Sequence, residues 1–392
     1  SASEVYLRTA QHPTVEGLPP GPRYHAFDEV YEALDTFEAV YDEIARRVLA
    51  LGQRAEGVIY AVPGHLLVGE ATVSCILAQA EALDVPVRVV AGLSFIEPTL
   101  AALGVDAFDG LQICDATLLA TQHHPNLDPD VAALVVQVYN RRLAAEAKLT
   151  LMNLYHDDQP ITLVCAAGTP QQTVRTIPLH ALDRQDDLDH LTSVYIPPLA
   201  RRGSLASYQD VVAHLRAPDG CPWDREQTHQ SLRTHLLEET YEVLAALDAD
   251  DMRLLREELG DLLLQVLLHA QIAAEEGDFK LIDSAGDAMA KLIRRHPHVF
   301  GEVTVNGSDE VLRNWEQIKR EEKGADFVSM LSGLNKALPA LTQAVEMQRR
   351  VARVGFDWPA PDPVLEKVRE KLDEFCQAYG AVARAAELGD IL

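Results

Sequence analysis

Two hydrophobic rhythms divide this 392-residue chain. Over roughly the first 200 residues, short β-branched runs alternate with stretches whose apolar positions recur three and four apart. Gly57–Val62, Val85–Val90, Leu111–Cys114, Ala133–Val138, Ile161–Cys165 and Thr192–Ile196 predict strands. Asp35–Leu51, Gly69–Leu83 and Arg141–Leu154 predict helices. That alternation predicts an α/β domain around a largely parallel sheet. Pro197-Pro198 and Arg201-Arg202-Gly203-Ser204 then punctuate the chain, and the strand rhythm stops. Beyond residue 204 every apolar pattern is helical. Thr228–Leu247, Met252–Glu275, Lys280–Arg295, Ser308–Lys323, Asn335–Val354 and Pro363–Ala383 predict helices, broken most clearly at Pro218–Pro222 and Gly301–Gly307. The expected molecule is multidomain, α/β first and all-α after.

The polar positions of two of these helices carry the candidate chemistry. Leu237-Glu238-Glu239-Thr240-Tyr241-Glu242 precedes Glu257-Glu258-Leu259-Gly260-Asp261-Leu262-Leu263. Glu239 and Glu242 are three apart, as are Glu258 and Asp261, so each pair shares a helix face. If the two helices fold back on each other, four carboxylates converge. Such a cluster needs a cation when taken out of water. All-oxygen ligands on rigid helices suit Mg2+ or Mn2+, ions commonly completed by substrate phosphates. Asp261 lies within the apolar run Leu259–Leu268, where a poor helix former is expected to be buried with a partner. Gln265, His269 and Gln271 on the same helix are expected to be satisfied core or interface polars.

Charge narrows the partners. The formal net charge is −26, from 60 acidic against 34 basic residues, which disfavours a nucleic-acid backbone or an anionic membrane. An anionic substrate then needs a metal or a local basic cluster. Lys291, Arg294 and Arg295, three and four apart, supply such a face. Trp315 and Lys319 stand one helical turn apart; on sequence alone Trp315 reads first as a core or dimer-interface aromatic, with an indole stacked on a base beside an amine that reaches a phosphate as the alternative. The five cysteines, Cys75, Cys114, Cys165, Cys221 and Cys376, are dispersed without a C-x-x-C, as in reduced cytosolic proteins. Cys221, between glycine and proline, has no base nearby in sequence and is left out of the chemistry. No apolar run reaches the roughly 18 residues of a membrane span. Glu4 and Arg8 flank the only early apolar patch, which argues against a signal peptide. A soluble, cytoplasmic protein is expected.

The helical half repeats itself. Glu258-Leu259-Gly260-Asp261-Leu262-Leu263 recurs as Glu387-Leu388-Gly389-Asp390-Ile391-Leu392, and Trp223 is echoed by Trp358. Glu238, Glu239 and Glu242 then align with Glu370, Lys371 and Glu374. One ligand in four becomes a cation, which should cripple divalent binding. Because the chain ends directly after the second E-x-x-D, this copy is expected to be truncated as well as degenerate.

At Gly220-Cys221-Pro222-Trp223-Asp224, the two acid clusters, Arg294-Arg295-His296-Pro297-His298-Val299-Phe300 and Asn314-Trp315-Glu316-Gln317-Ile318-Lys319, the chain resembles the MazG family of nucleoside triphosphate pyrophosphohydrolases. The resemblance covers roughly residues 205–392 and follows the family's motif order. It implies an all-α fold that dimerises into a helical bundle. It also implies Mg2+-dependent hydrolysis of NTPs or dNTPs to monophosphate and pyrophosphate, a housecleaning of the nucleotide pool. By position Glu239, Glu242, Glu258 and Asp261 resemble its metal ligands and catalytic set. Lys291, Arg295, Trp315 and Lys319 fall where it contacts phosphates and base, and Glu238 and Arg294 complete the nucleotide-binding candidates. The expected reaction is attack of activated water at the α-phosphorus, with Glu239 or Glu242 taking the proton.

Tyr60-Ala61-Val62-Pro63-Gly64-His65, Val90-Ala91-Gly92-Leu93-Ser94-Phe95 and Thr192-Ser193-Val194-Tyr195-Ile196-Pro197-Pro198 resemble the tetrapyrrole (corrin/porphyrin) methylase family, as fused to a MazG region in YabN-type proteins. The resemblance implies an S-adenosylmethionine pocket with Pro63, Gly64, His65, Gly92 and Ser94 as candidates. The family's opening strand and G-x-G-P-G loop are absent from the sequence. The expected domains are therefore a methylase-like 1–203 lacking that strand and loop, a MazG domain over 204–330 and a degenerate repeat over 331–392. A metal-dependent NTP pyrophosphohydrolase leads. The rivals are a methyltransferase with an accessory helical region, and a non-catalytic front half that regulates or oligomerises the hydrolase. The expected partners are a nucleoside triphosphate and further copies of the chain.

Overall fold

Two hydrophobic cores, each built on its own sheet, organise the first half of the chain. The structure, a computed structural model, describes residues 3–323, 331, 334–335, 337–352 and 355–391. The chain divides into two compact units, Ser1–Glu226 and Gln227–Leu392.

In the first unit β1 (Glu4–Leu7), β2 (Arg23–Ala26) and β3 (Tyr60–Ala61) form a parallel sheet in the order β2-β1-β3. Helix α1 (Phe37–Gly52) starts where the Thr36 hydroxyl accepts the Ala39 N–H at 3.3 Å. It buries Val40, Ile44, Ala45, Val48 and Leu49, one face of a 3.6-residue period. Helices α2 (Ala71–Ala82) and α3 (Ile96–Leu103) follow, the latter closed by Gly104 at φ 67°.

The second sheet runs β4-β5-β8-β6-β7, from β4 (Leu111–Asp115), β5 (Ala132–Val136), β6 (Pro160–Cys165), β7 (Thr173–Pro178) and β8 (Thr192–Ile196). Only β4 and β5 pair in parallel; β5–β8, β6–β8 and β6–β7 are antiparallel. The expected parallel sheet is thus two sheets, the second mixed. Strand β5 is buried at all five positions, and α4 (Arg141–Leu151) packs Leu143, Ala144, Ala147 and Leu151 into the same core.

Several local expectations shift. Val85–Val90 forms no strand: β-branched residues need a ladder partner, and here Val87, Val89 and Val90 are exposed. Gly57–Val62 contracts to the two residues that pair with β1. The unforeseen β1, β2 and β7 are short or polar, and β7 is an edge strand held by β6. The first unit also extends past the end of the strand rhythm. Asp130 accepts the N–H groups of Gly203 and Ser204 within 3.1 Å, and α5 (Leu205–Arg216) starts at the Ser204 hydroxyl. The turn after α5 needs Gly220, where a Cβ would lie 2.2 Å from the His214 carbonyl oxygen.

The second unit is helical: α6 (Arg233–Asp248), α7 (Met252–Glu276), α8 (Leu281–Arg295), α9 (Ser308–Lys323), α10 (Ala340–Ala352), α11 (Pro361–Gln377) and α12 (Ala381–Ile391). Asp251 caps α7 by accepting the N–H groups of Arg253 and Leu254, both at 3.0 Å. Gly277 ends it at φ 82°. The predicted helix over 335–354 is the shorter α10, with residues 353–354 outside the described set. The predicted helix over 363–383 is two helices, broken at Ala378–Gly380 where Gly380 takes φ 93°. Buried positions concentrate on the second half of α7: Gln265, Leu267, Leu268, Ala270, Ile272 and Ala273. Leu237, Tyr241, Leu244 and Leu247 on α6 stay exposed, as do Leu259, Leu263 and Val266 on α7. No described helix is long and apolar enough to cross a membrane.

Candidate metal and nucleotide site

The acid clusters face each other because a three-residue connection, Ala249–Asp251, folds α7 back along α6. Asp250 takes φ 53° in that turn. One carboxylate oxygen each from Glu239, Glu242 and Glu258 lie within 4.8 Å of one another. Three anions this close repel, and in two of them the repulsion adds to the effect of burial. Burial, then the charges of Glu242 and Asp261, push the Glu239 carboxyl above its ordinary value; a hydrogen bond with Glu242 and the charge of Glu258 add to it. Glu258 is raised by burial, then by Glu242, Asp261 and Glu257. Hard oxygen donors at this spacing, with protons held too tightly, fit a divalent cation in place of those protons.

Asp261 stands apart from the tight group of three. It acts on Glu239 and Glu258 through its charge, and it is exposed, not buried as expected from the apolar run around it. The physical reason is that Leu259 and Leu263, its neighbours in that run, are themselves open to solvent in the single chain. Glu238 also lies outside the group, 3.4 Å from Nδ1 of His235. Further along α7, His269 and His229 share an Nδ1–Nδ1 hydrogen bond of 2.8 Å and stack at 5.1 Å. Burial and then the neighbouring His229 lower the His269 pKa. Nε2 of His269 and Oε1 of Gln265 are buried without a hydrogen-bond partner inside the chain, which leaves the interface half of the expected core-or-interface role open for both; Gln271 donates to Glu275 at 3.0 Å.

The basic candidates form a second cluster, on α8 and α9. Trp315 lies beneath two cations: the Arg295 guanidinium is 5.6 Å and the Lys319 ammonium 4.8 Å from its ring centroid. Arg294 and Arg295 both converge on Glu322, at 2.7 Å and 2.5 Å. Their hydrogen bonds, Arg295 first, hold the Glu322 carboxyl down at about 2. Lys291, one turn earlier on α8, is exposed. Glu322 was not among the candidates, although it follows Trp315 and Lys319 at the i+7 and i+3 positions of the same helix face.

In the first unit the two glycine turns meet. A Cβ on Gly92 would lie 2.6 Å from the Gly64 carbonyl oxygen, and Gly64 itself takes φ 79°. Pro63 and His65 flank that turn, with His65 Nδ1 accepting the Leu67 N–H at 3.1 Å. Ser94 is buried; it hydrogen-bonds Glu97 and accepts the Ile96 N–H at 3.0 Å, which starts α3. The Ser94 hydrogen bond, as the main cause, lowers the Glu97 carboxyl. Gln137 and Ala166, just past β5 and β6, take positive φ of 63° and 51°. No sequence signal marked either.

Comparison with known proteins follows the same division. Residues 227–300 match the MazG nucleotide pyrophosphohydrolase domain, and residues 1–183 match the tetrapyrrole (corrin/porphyrin) methylases. The protein YabN of Bacillus subtilis is 43% identical over 358 residues, covering 89% of this chain and 71% of that one. The nucleoside triphosphate pyrophosphohydrolase/pyrophosphatase MazG of Thermotoga maritima is 44% identical over 182 residues, 46% of this chain and 70% of that one. The nucleoside triphosphate pyrophosphohydrolase of Escherichia coli K12 is 47% identical over 189 residues, 46% of this chain and 72% of that one.

Proposed function

The chain belongs to the family that fuses a tetrapyrrole-methylase-like domain to a MazG domain, and from that premise we propose how it works as a nucleoside triphosphate pyrophosphohydrolase. The reaction takes a nucleoside triphosphate and water to a monophosphate and pyrophosphate. The carboxylate cluster suits a hard divalent cation; Mg2+ is the cation proposed here, with Mn2+ its substitute. The observation that carries the site is the meeting of Glu239, Glu242 and Glu258 within 4.8 Å, with Asp261 near enough to act on them. When bound there, a dication supplies charge neutralisation for the polyphosphate and acidifies water.

The chain's own residues do the remainder. Glu239, Glu242, Glu258 and Asp261 would hold the cation, and Glu239 or Glu242 accepts the proton of the attacking water. The water oxygen bonds to the α-phosphorus as the bridge to the β-phosphoryl oxygen breaks, and pyrophosphate leaves with the bond's electrons. Lys291, Arg294 and Arg295 neutralise phosphates, with Lys319 and Trp315 beside them. Helices of the first acid pair form the working site, and 331–392 is a degenerate copy. The exposed apolar positions on α6 and α7 support a homodimer through these helices. Incubation with each NTP and dNTP plus Mg2+ tests the reading. Monophosphate with pyrophosphate is expected; diphosphate with orthophosphate, or no product, overturns it.

For the first unit, the close approach of Gly64 and Gly92 supports a ligand-binding role, with S-adenosylmethionine the candidate. Calorimetry on the full chain checks this: saturable binding is expected, and none removes methyl transfer.

A further inference from the structure

Glu322 has no part in the scheme above, yet it makes the densest polar contacts of the basic cluster. Its Oε1 is 2.7 Å from both Nε and Nη2 of Arg294. Its Oε2 is 2.5 Å from Nη2 and 3.0 Å from Nε of Arg295. One carboxylate therefore fills the hydrogen-bonding edges of two guanidiniums. Those edges are what a phosphate would use, because carboxylate and phosphate oxygens match the same fork of N–H donors. The rest of the cluster holds the arrangement ready. Arg295 is packed over Trp315 with only 17% of its side chain exposed, whereas Arg294 is 56% exposed and open to an arriving anion. Both arginines sit in the last turn of α8, where the helix favours cations.

We infer that Glu322 is an internal stand-in for a substrate phosphate: its carboxylate occupies Arg294 and Arg295 in the free protein and is displaced by the polyphosphate chain of the nucleotide. This rests on the reading of Arg294 and Arg295 as phosphate contacts. Glu322 then sets affinity. It keeps the two guanidiniums aligned and partly neutralised, and every incoming anion must compete with it. A single orthophosphate competes poorly with a carboxylate already in place; a polyphosphate, with more charge and more oxygens, competes well. The residue thereby favours triphosphate over smaller phosphate compounds.

Pyrophosphate binding by calorimetry and the KM for NTP test this on the full chain. Glu322→Gln keeps the shape and removes the charge. It should tighten pyrophosphate and lower KM by about tenfold, the effect of losing a charged competitor, with the gain in KM and not in kcat. Orthophosphate should gain proportionally more, so the preference for pyrophosphate narrows. Glu322→Asp, which keeps the charge but retracts it, should shift both in the same direction by less, and serves if the glutamine variant fails to fold. Unchanged or weaker pyrophosphate binding in folded Glu322 variants, while Arg295→Ala weakens it, overturns the stand-in role alone. Unchanged binding in Arg295→Ala overturns the phosphate-contact reading and this inference together.

Discussion

The pairs α6–α7 and α11–α12 place related side chains in related positions and solve their electrostatics in opposite ways. In the first, Glu239, Glu242 and Glu258 crowd together and two of them hold protons more tightly than usual. In the second, Lys371 takes the position of Glu239. Its ammonium lies 2.6 Å from Glu374, 3.1 Å from Asp390 and 3.7 Å from Glu387, the counterparts of Glu242, Asp261 and Glu258. Hydrogen bonds to Glu374 and Asp390 raise the Lys371 pKa, and Lys371 lowers that of Glu374. The second pair carries its cation on the chain, whereas the first has no basic side chain among its four acidic positions and is the proposed site for a cation from solution. A single Glu-to-Lys difference separates a candidate metal site from a self-neutralised helix pair.

The strongest way to break the comparison is to remove a carboxylate from the first pair. Glu239→Ala or Asp261→Ala should cut pyrophosphate release by about 100-fold or more with the fold intact by circular dichroism. Full activity in either would refute the site. Neutralising Lys371 should leave NTP hydrolysis in place, whereas Lys371→Glu should create a second divalent site; Mn2+ titrated by electron paramagnetic resonance would show more ions bound per chain. Equal stoichiometry in wild type and variant would contradict the equivalence of the two pairs.

Acid distinguishes them more gently. In metal-free protein the raised carboxyls of Glu239 and Glu258 bind more protons in the folded than in the unfolded state, so their contribution to stability falls as pH rises through their shifted range. Moderate acidification should protect the acid-cluster ends of α6 and α7, away from His269, whose lowered pKa acts the other way. Glu374 is shifted the other way. Its contribution is full at neutral pH and is lost as pH falls below the ordinary carboxylate value of roughly 4. Hydrogen exchange resolved by helix, corrected for intrinsic rates, should show opposite signs; the same sign in both pairs would count against the account. The smallest effect is expected at Gly380, whose φ of 93° breaks α11 from α12. Gly380→Ala should cost about 1 kcal/mol in chemical denaturation, and no change would mean that the turn is not strained by a side chain.

What could be read from the sequence follows from how local each signal is. The spacing of Glu239, Glu242 and Glu258 on two periodic helices announced their meeting, since a short turn leaves few other arrangements. Lys371 announced its role by identity alone, although its three simultaneous partners needed the fold. Asp261 misled because the apolar run around it packs incompletely within one chain. Val85–Val90 misled because a strand is a property of a pair, and no partner among the described residues takes it up. Glu322 was hidden in a charged helix face that reads as solvated until α8 is laid across it.

The central claim is that the side-chain oxygens of α6 and α7 grip a hard dication that in turn holds a triphosphate. Mn2+ titration in the presence of a non-hydrolysable NTP, comparing wild type with Glu239→Gln, tests it most directly. The account expects saturable Mn2+ uptake in the wild type that weakens by about tenfold or more in the variant. Identical uptake in the two proteins, or none in either, would contradict it.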